Sequence, residues 1–158
     1  MDKNTRMDSH QWDSSLDPQI SPLFLALQWA HRRSIDVLQP LLLKNGLSAA
    51  EFDVLATLRN APAPHEMTPS QIQQEVVITS GGLTKVMLQL EARGLVKRLQ
   101  LPSDLRVKPV QLTDEGRQKV ETAMTEMLGA TRAWFKNALD AGEIGQLTTL
   151  LGKVVAAQ

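Results

Sequence analysis

Cysteine and tyrosine are both absent from this chain. Without cysteine there is no disulfide framework, no thiol nucleophile and no thiolate zinc, a composition suited to a reducing compartment. Net charge is absent too: the formal value is +0 and the sequence pI is about 6.8. Any polyanionic partner must therefore be recognised by where the charges sit rather than by their total. No apolar run approaches the roughly 20 residues that span a bilayer. The opening MDKNTRMDSHQWDSS has no hydrophobic signal core. The three histidines, His10, His31 and His65, share no metal-ligand spacing, so neither a metal nor a cofactor is expected. There is no glycine-rich phosphate loop after a strand and no nucleophile–base pattern, which argues against an enzyme. A cytoplasmic protein with no membrane partner is the expectation.

What is present is a chain of 158 residues, 42% hydrophobic and 22% charged, enough for one globular core. Residues 1–20 read as a polar extension. A long apolar helix follows, from about Ser21 to Lys44, capped by Asp17 or Ser21. Pro40 inside it should kink or divide it, and Asn45-Gly46 stops it. Ser48 to Glu51 is a capping box that opens a helix with Phe52, Leu55 and Leu58 on one face. The stretch from Ala61 to Pro64 cannot continue a helix. Thr68-Pro69-Ser70-Gln71 is a second capping box, starting a short helix with Ile72, Val76 and Val77. Thr79-Ser80-Gly81-Gly82 is a turn and a cap. The helix beyond it turns Leu83, Val86 and Leu90 inward and ends at Gly94. Two extended runs, Leu95–Leu99 and Val107–Leu112, flank the turn Pro102-Ser103-Asp104, and Pro109 places the second toward a sheet edge. Thr113-Asp114 caps a long helix carrying Val120, Met124, Met127, Leu128, Thr131 and Phe135. Asp140-Ala141-Gly142 breaks it, and a last helix shows Ile144, Leu147, Leu151 and Val154.

The fold class is therefore mainly α with a small β-hairpin wing. Helix, short helix, tight turn, helix and hairpin follow in the order of a winged helix-turn-helix, spanning 48–113. In that arrangement the second helix of the pair enters the major groove of double-stranded DNA and the hairpin reaches the backbone or minor groove. Between Thr79 and Lys108 there are six basic residues (Lys85, Arg93, Lys97, Arg98, Arg106, Lys108) against two acidic ones, Glu91 and Asp104. That local excess suits phosphate contact, though an ordinary solvated basic face would look the same. Ser70 and Gln71 open one helix, and Thr79, Ser80, Gly81 and Gly82 open the next, where a phosphate is welcome. Thr84, Lys85 and Gln89 point outward, where Gln suits adenine and Lys guanine. The bland reading makes Ser80 only a cap and Gln89 only a surface residue. In the wing, Asp104 can brace Arg106 at the hairpin tip, or the two form a plain turn salt bridge. The other reading of the whole lobe is a winged-helix protein-interaction module without sequence-specific DNA binding.

LSAAEFDVLATLR, then MTPSQIQQEVVITSGGLTKVMLQLEARGLVKR, then DLRVKPVQLTDEG, together covering Leu47 to Gly116, resemble the MarR (multiple antibiotic resistance regulator) family. The Asp-x-Arg wing and the Leu-Thr-x-x-Gly exit fall at that family's spacings. The resemblance implies a homodimer built from the flanking helices, 21–47 and 114–158. It also implies a repressor of pseudo-palindromic operators, released by a small aromatic effector, phenolic or purine-like. QWDSSLDPQISP, EFDVL and TSGG resemble the urate-responsive branch more narrowly. By that likeness Trp12, Asp53 and Arg98 form or couple the ligand pocket. Where that branch carries an arginine in the recognition helix, this chain has Val86, and the wing reads DLRVKP where a second arginine often follows the first. The alternatives for Asp53 are projection to solvent or a pair with Arg59 or Arg32. Trp29, within an apolar stretch, reads as packing.

Overall fold

The computed structural model describes residues 16–76, 78–99 and 108–157. The first helix, α1 (Ile20–Lys44), is followed by α2 (Ala49–Asn60), β1 (Glu66–Met67), α3 (Pro69–Glu75), α4 (Ser80–Ala92), β2 (Val96–Arg98), β3 (Val110–Leu112), α5 (Asp114–Lys136) and α6 (Ala141–Ala156). The described residues up to Leu38 form one compact unit and those from Gln39 on a second.

Local chemistry sets the helix ends. Asp17 caps α1, its Oδ1 accepting from the amides of Gln19 and Ile20 at 3.1 and 2.9 Å. Ser48 with Glu51, Thr68 with Gln71 and Asp140 with Glu143 each form a reciprocal capping box. A cap of this kind is worth about 1 kcal/mol. Asp140, read from sequence as a helix breaker, is thus the start of α6, while α5 has already ended at Lys136. Pro40 does not divide α1, which runs unbroken through it. The proline and Asp36, whose carbonyl loses its intrahelical donor, are both exposed, so water can satisfy the freed group.

The core of the second unit is built by α2, α3, α4, the sheet and the start of α5. Val54, Leu55, Leu58, Ile72, Leu90, Val110, Val120 and Ala123 are fully enclosed. They join Leu47, Leu83, Val86, Met87, Leu95 and Leu112 in one cluster. Ile72, Leu55, Leu58, Leu83, Val86, Leu90 and Val120 were legible from helical spacing. Phe52 is only partly buried and Val54 takes the inner position.

The sheet has three antiparallel strands in the order β1-β3-β2. β3 is consequently the central strand, not an edge. Pro109 is tolerated because it precedes Val110, the first strand residue. It takes part through its carbonyl, which accepts from the Leu99 amide at 2.8 Å. β1 has two residues and no sequence signal of its own.

One contact fixes where α5 leaves the sheet. Thr113 caps α5, its Oγ1 accepting from the Gly116 amide at 3.0 Å and donating toward the Gly94 and Leu95 carbonyls at 2.8 and 3.0 Å. Gly116 then lies so close to the backbone that a Cβ there would stand 2.0 Å from the Leu95 carbonyl oxygen. The Leu-Thr-x-x-Gly pattern is the sequence record of that close approach.

Candidate nucleic-acid interface

The helix-turn-helix is α3 and α4. Gln73 on α3 braces the turn, its Nε2 donating to the Ile78 carbonyl at 2.5 Å. Thr79 caps α4 by accepting from the Gly82 amide at 3.2 Å. Four residues of α4 (Leu83, Val86, Met87, Leu90) are buried, which anchors one side of the helix and fixes which side faces out. Ser80, Gly81, Thr84, Lys85 and Gln89 are all exposed. Thr84 Oγ1 donates back to the Ser80 carbonyl at 3.1 Å. Lys85 has no hydrogen-bond or ion-pair partner among the described residues, so its ammonium is available to an acceptor.

At the start of α3, Ser70 and Gln71 are exposed. Gln71 Oε1 is already occupied, accepting from the Thr68 amide at 2.8 Å, which leaves its amide nitrogen as the group free for outside contact. Arg98 is on β2, at the root of the hairpin, and Lys108 is exposed just before β3. Asp104 and Arg106, expected at the tip of the wing, lie outside the described residues, as does Trp12.

Arg98 is paired with Glu91 on α4, Nε to Oε2 at 3.1 Å, so its charge is spent within the lobe and not on Asp53. Asp53 has no partner among the described residues, and Arg59, one alternative, is engaged by Glu121 at 3.2 Å. Asp53 is exposed, yet partial desolvation raises its pKa above the ordinary aspartate value. Val86 is buried in the core. That position supplies packing and no charge.

Sequence reasoning missed the ion pair with the most buried carboxylate among the described residues. Arg93, at the end of α4, donates to Glu51 Oε1 at 2.7 Å and to the Gly46 carbonyl at 2.8 Å. Glu51 is 7% exposed. Burial pushes its carboxyl up, but the Ser48 amide and the Arg93 guanidinium outweigh that and hold it below the ordinary glutamate range. The partners are 42 residues apart, so only a known fold brings them together. Glu126 joins the end of α1 to α5, accepting from Lys44 Nζ at 2.7 Å and from Asn45 Nδ2 at 2.8 Å. Those hydrogen bonds, Lys44 first, lower its pKa.

A braced helix with one free polar face, followed by an antiparallel hairpin, defines a winged helix-turn-helix DNA-binding lobe. The chain belongs to the MarR family, whose sequence pattern matches residues 47–108. It is 37% identical over 111 residues to the HTH-type transcriptional regulator PecS of Dickeya dadantii, a match covering 70% of this chain and 66% of that one, just under two thirds of its length. Among solved structures it is similar to reduced MarR of E. coli, with 30% identity and a TM-score of 0.70 over 84% of this chain and 96% of that one. It is also similar to BpsR of Bordetella bronchiseptica, with 26% identity and a TM-score of 0.71 over 84% and 98%. The protein is a DNA-binding transcriptional regulator of this family. Among the described residues, no helix is long and apolar enough to cross a membrane.

Proposed function

We propose that this regulator acts as a homodimeric repressor of pseudo-palindromic operators and that a small aromatic ligand releases it. The observation that carries the operator reading is the solvent face of α4, where Ser80, Gly81, Thr84, Lys85 and Gln89 stand uncovered on a helix locked to the core by its other side. Thr79, Ser80, Gly81 and Gly82, with Ser70 and Gln71, meet phosphate. Thr84, Lys85 and Gln89 meet base edges. Arg98, Lys108 and the Asp104–Arg106 wing tip complete the contact.

Dimerisation is supported by apolar surface with no cover. Leu128, Phe135, Ile144, Leu147 and Leu151 line an open groove of about 510 Å³ between α5 and α6, and Val154 and Val155 are 68% and 80% exposed. On α1, Ile20, Leu23, Leu27 and Ile35 are exposed as well. Residues 21–47 and 114–158 are accordingly the dimer helices, and a closed two-fold pair is the economical way to bury them.

For the effector, Asp53 is the informative group: a carboxylate with no described partner, held at a raised pKa, is where a ligand gains by supplying a donor. Trp12 and Arg98 complete the pocket implied by the likeness to the urate-responsive branch. With Val86 turned inward and Arg98 already neutralised by Glu91, an uncharged or weakly acidic aromatic suits it better than urate. The structure of BpsR concerns regulation of its DNA binding by 6-hydroxynicotinic acid, a ligand of that size and chemistry. The test is fluorescence anisotropy on the DNA upstream of the protein's own gene, titrated with urate, salicylate, 6-hydroxynicotinate and a neutral phenol. Release by an aromatic, weakened in Asp53→Ala, supports the reading. Operator binding indifferent to all four ligands removes the effector from it.

A further inference from the structure

We propose that Leu88 reads a thymine methyl group in the major groove and so sets part of the operator's sequence. This rests on the reading above, that the free face of α4 enters the groove. The argument starts from the helix itself. At 3.6 residues per turn each step rotates by about 100°. The four buried residues Leu83, Val86, Met87 and Leu90 define the inward direction. Gly81 and Ala92 fall closest to the opposite, outward line, and Lys85 and Leu88 lie within about 30° of it on either side. Thr84 and Gln89 are about 70° away by the same count. Gly81 and Ala92 have no reach. The side chains that project furthest along the outward line are therefore one cation and one leucine.

Leu88 is 56% exposed in the middle of a face otherwise made of Ser80, Gly81, Thr84, Lys85, Gln89 and Ala92. A single exposed leucine elsewhere would need no explanation. On this line its occupancy has a chemical match. The thymine methyl is the one apolar group on a base edge in the major groove, and it is met by apolar side chains. Lys85 and Leu88 are three residues apart, a rise of about 4.5 Å, close to the base-pair spacing of about 3.4 Å. Leu88 therefore faces a thymine one or two base pairs from the base or phosphate taken by Lys85. Gln89, set off to the side, plays the lesser part in base choice.

The experiment uses the full chain. A preferred duplex is selected from a random pool, and each thymine in it is then replaced singly by deoxyuridine, which lacks only the methyl. The expected result is one position per half-site where losing the methyl weakens the parent about four-fold, the value for withdrawing one buried methyl from apolar contact. Leu88→Ala, checked to be folded and dimeric, binds the thymine duplex more weakly and is indifferent to the swap at that position. Gln89→Ala keeps the parent's sensitivity. Equal methyl sensitivity in the parent and in Leu88→Ala, or none in either, overturns the assignment while leaving operator binding intact. A Leu88→Ala chain that loses its dimer and keeps its methyl sensitivity also overturns it, placing Leu88 against protein. Failure to select any preferred sequence overturns the operator reading and this inference with it.

Discussion

Gly116→Ala should destabilise the protein, although it replaces glycine by the best helix former inside a helix. In open surroundings that change gains about 1 kcal/mol from helix propensity. At Gly116 the new Cβ would meet the Leu95 carbonyl oxygen at 2.0 Å, the Leu95 carbonyl carbon at 2.9 Å and Leu112 Cδ1 at 3.0 Å. Leucine Cδ1 can swing aside. The Leu95 backbone has less freedom, because its amide donates to the Leu90 carbonyl at 3.0 Å and its carbonyl accepts from the Thr113 amide at 3.2 Å. Relief of more than 1 Å must come from shifting α5 off the sheet. Overpacking of this kind costs about 1–3 kcal/mol, and loosening the Thr113–Leu95 hydrogen bonds adds about 1 kcal/mol. Set against the propensity gain, the net loss is about 2 kcal/mol, or roughly 4–8 °C in Tm for a chain of this size. Gly81→Ala is the matched control. Nothing lies within 4 Å of its Cβ position, and it should gain about 0.4–1 kcal/mol. Thermal and urea unfolding followed by circular dichroism give both values. A Gly116→Ala chain as stable as Gly81→Ala would refute the close approach and the account of the Leu-Thr-x-x-Gly pattern built on it.

Three further outcomes follow from the same structure. Glu51→Gln should lose about 1.5–3 kcal/mol at neutral pH, the range for hydrogen bonds to a charged group. Because the folded-state pKa of Glu51 is depressed, the parent's advantage is present above the unfolded glutamate pKa and lost as pH falls through the folded value. Parallel stability–pH curves for the two chains would contradict that. Asp53→Asn should do the reverse: its raised pKa makes the carboxylate a liability at neutral pH, so the variant is the more stable chain there and the gap closes in acid. Destabilisation at neutral pH would instead reveal a partner for Asp53. Leu147→Glu, in the groove between α5 and α6, should turn a dimer into a monomer at micromolar concentration by light scattering, and an unchanged mass would move the interface elsewhere.

Much of the lobe was legible because its signals are local. Ser48 and Glu51, or Thr68 and Gln71, are three residues apart and announce helix starts without knowledge of the fold. The inward residues of α4 follow from helical period, with Met87 added by the structure. What was not legible is set by partners far along the chain. β1 exists only because Glu66 and Met67 meet Gln111 and Val110. The same pairing makes β3 central and reverses the reading of Pro109. Arg98 has Glu91 on α4 as its partner, a pair that joins helix to strand and that no local spacing announces. Leu88 failed to stand out because hydrophobicity in a helix is read as burial, and only the enclosure of its four neighbours shows that it faces the other way.

The carboxyl end of α4 is held from two directions. Arg93 ties it to Gly46, in the turn after α1, and to Glu51 on α2. Thr113 ties the next residue, Gly94, to the first turn of α5. Glu126 closes the triangle by binding Lys44 and Asn45 at the end of α1 to α5. The carboxyl end of α4 is therefore fixed to the turn before α2, to α2 itself and to the start of α5, while among the described residues its amino end carries the Thr79 cap. On the effector reading proposed above, a ligand that shifts the start of α5 would change the aim of α4 through the Thr113 contacts. Such a ligand would need only to favour the misaligned arrangement.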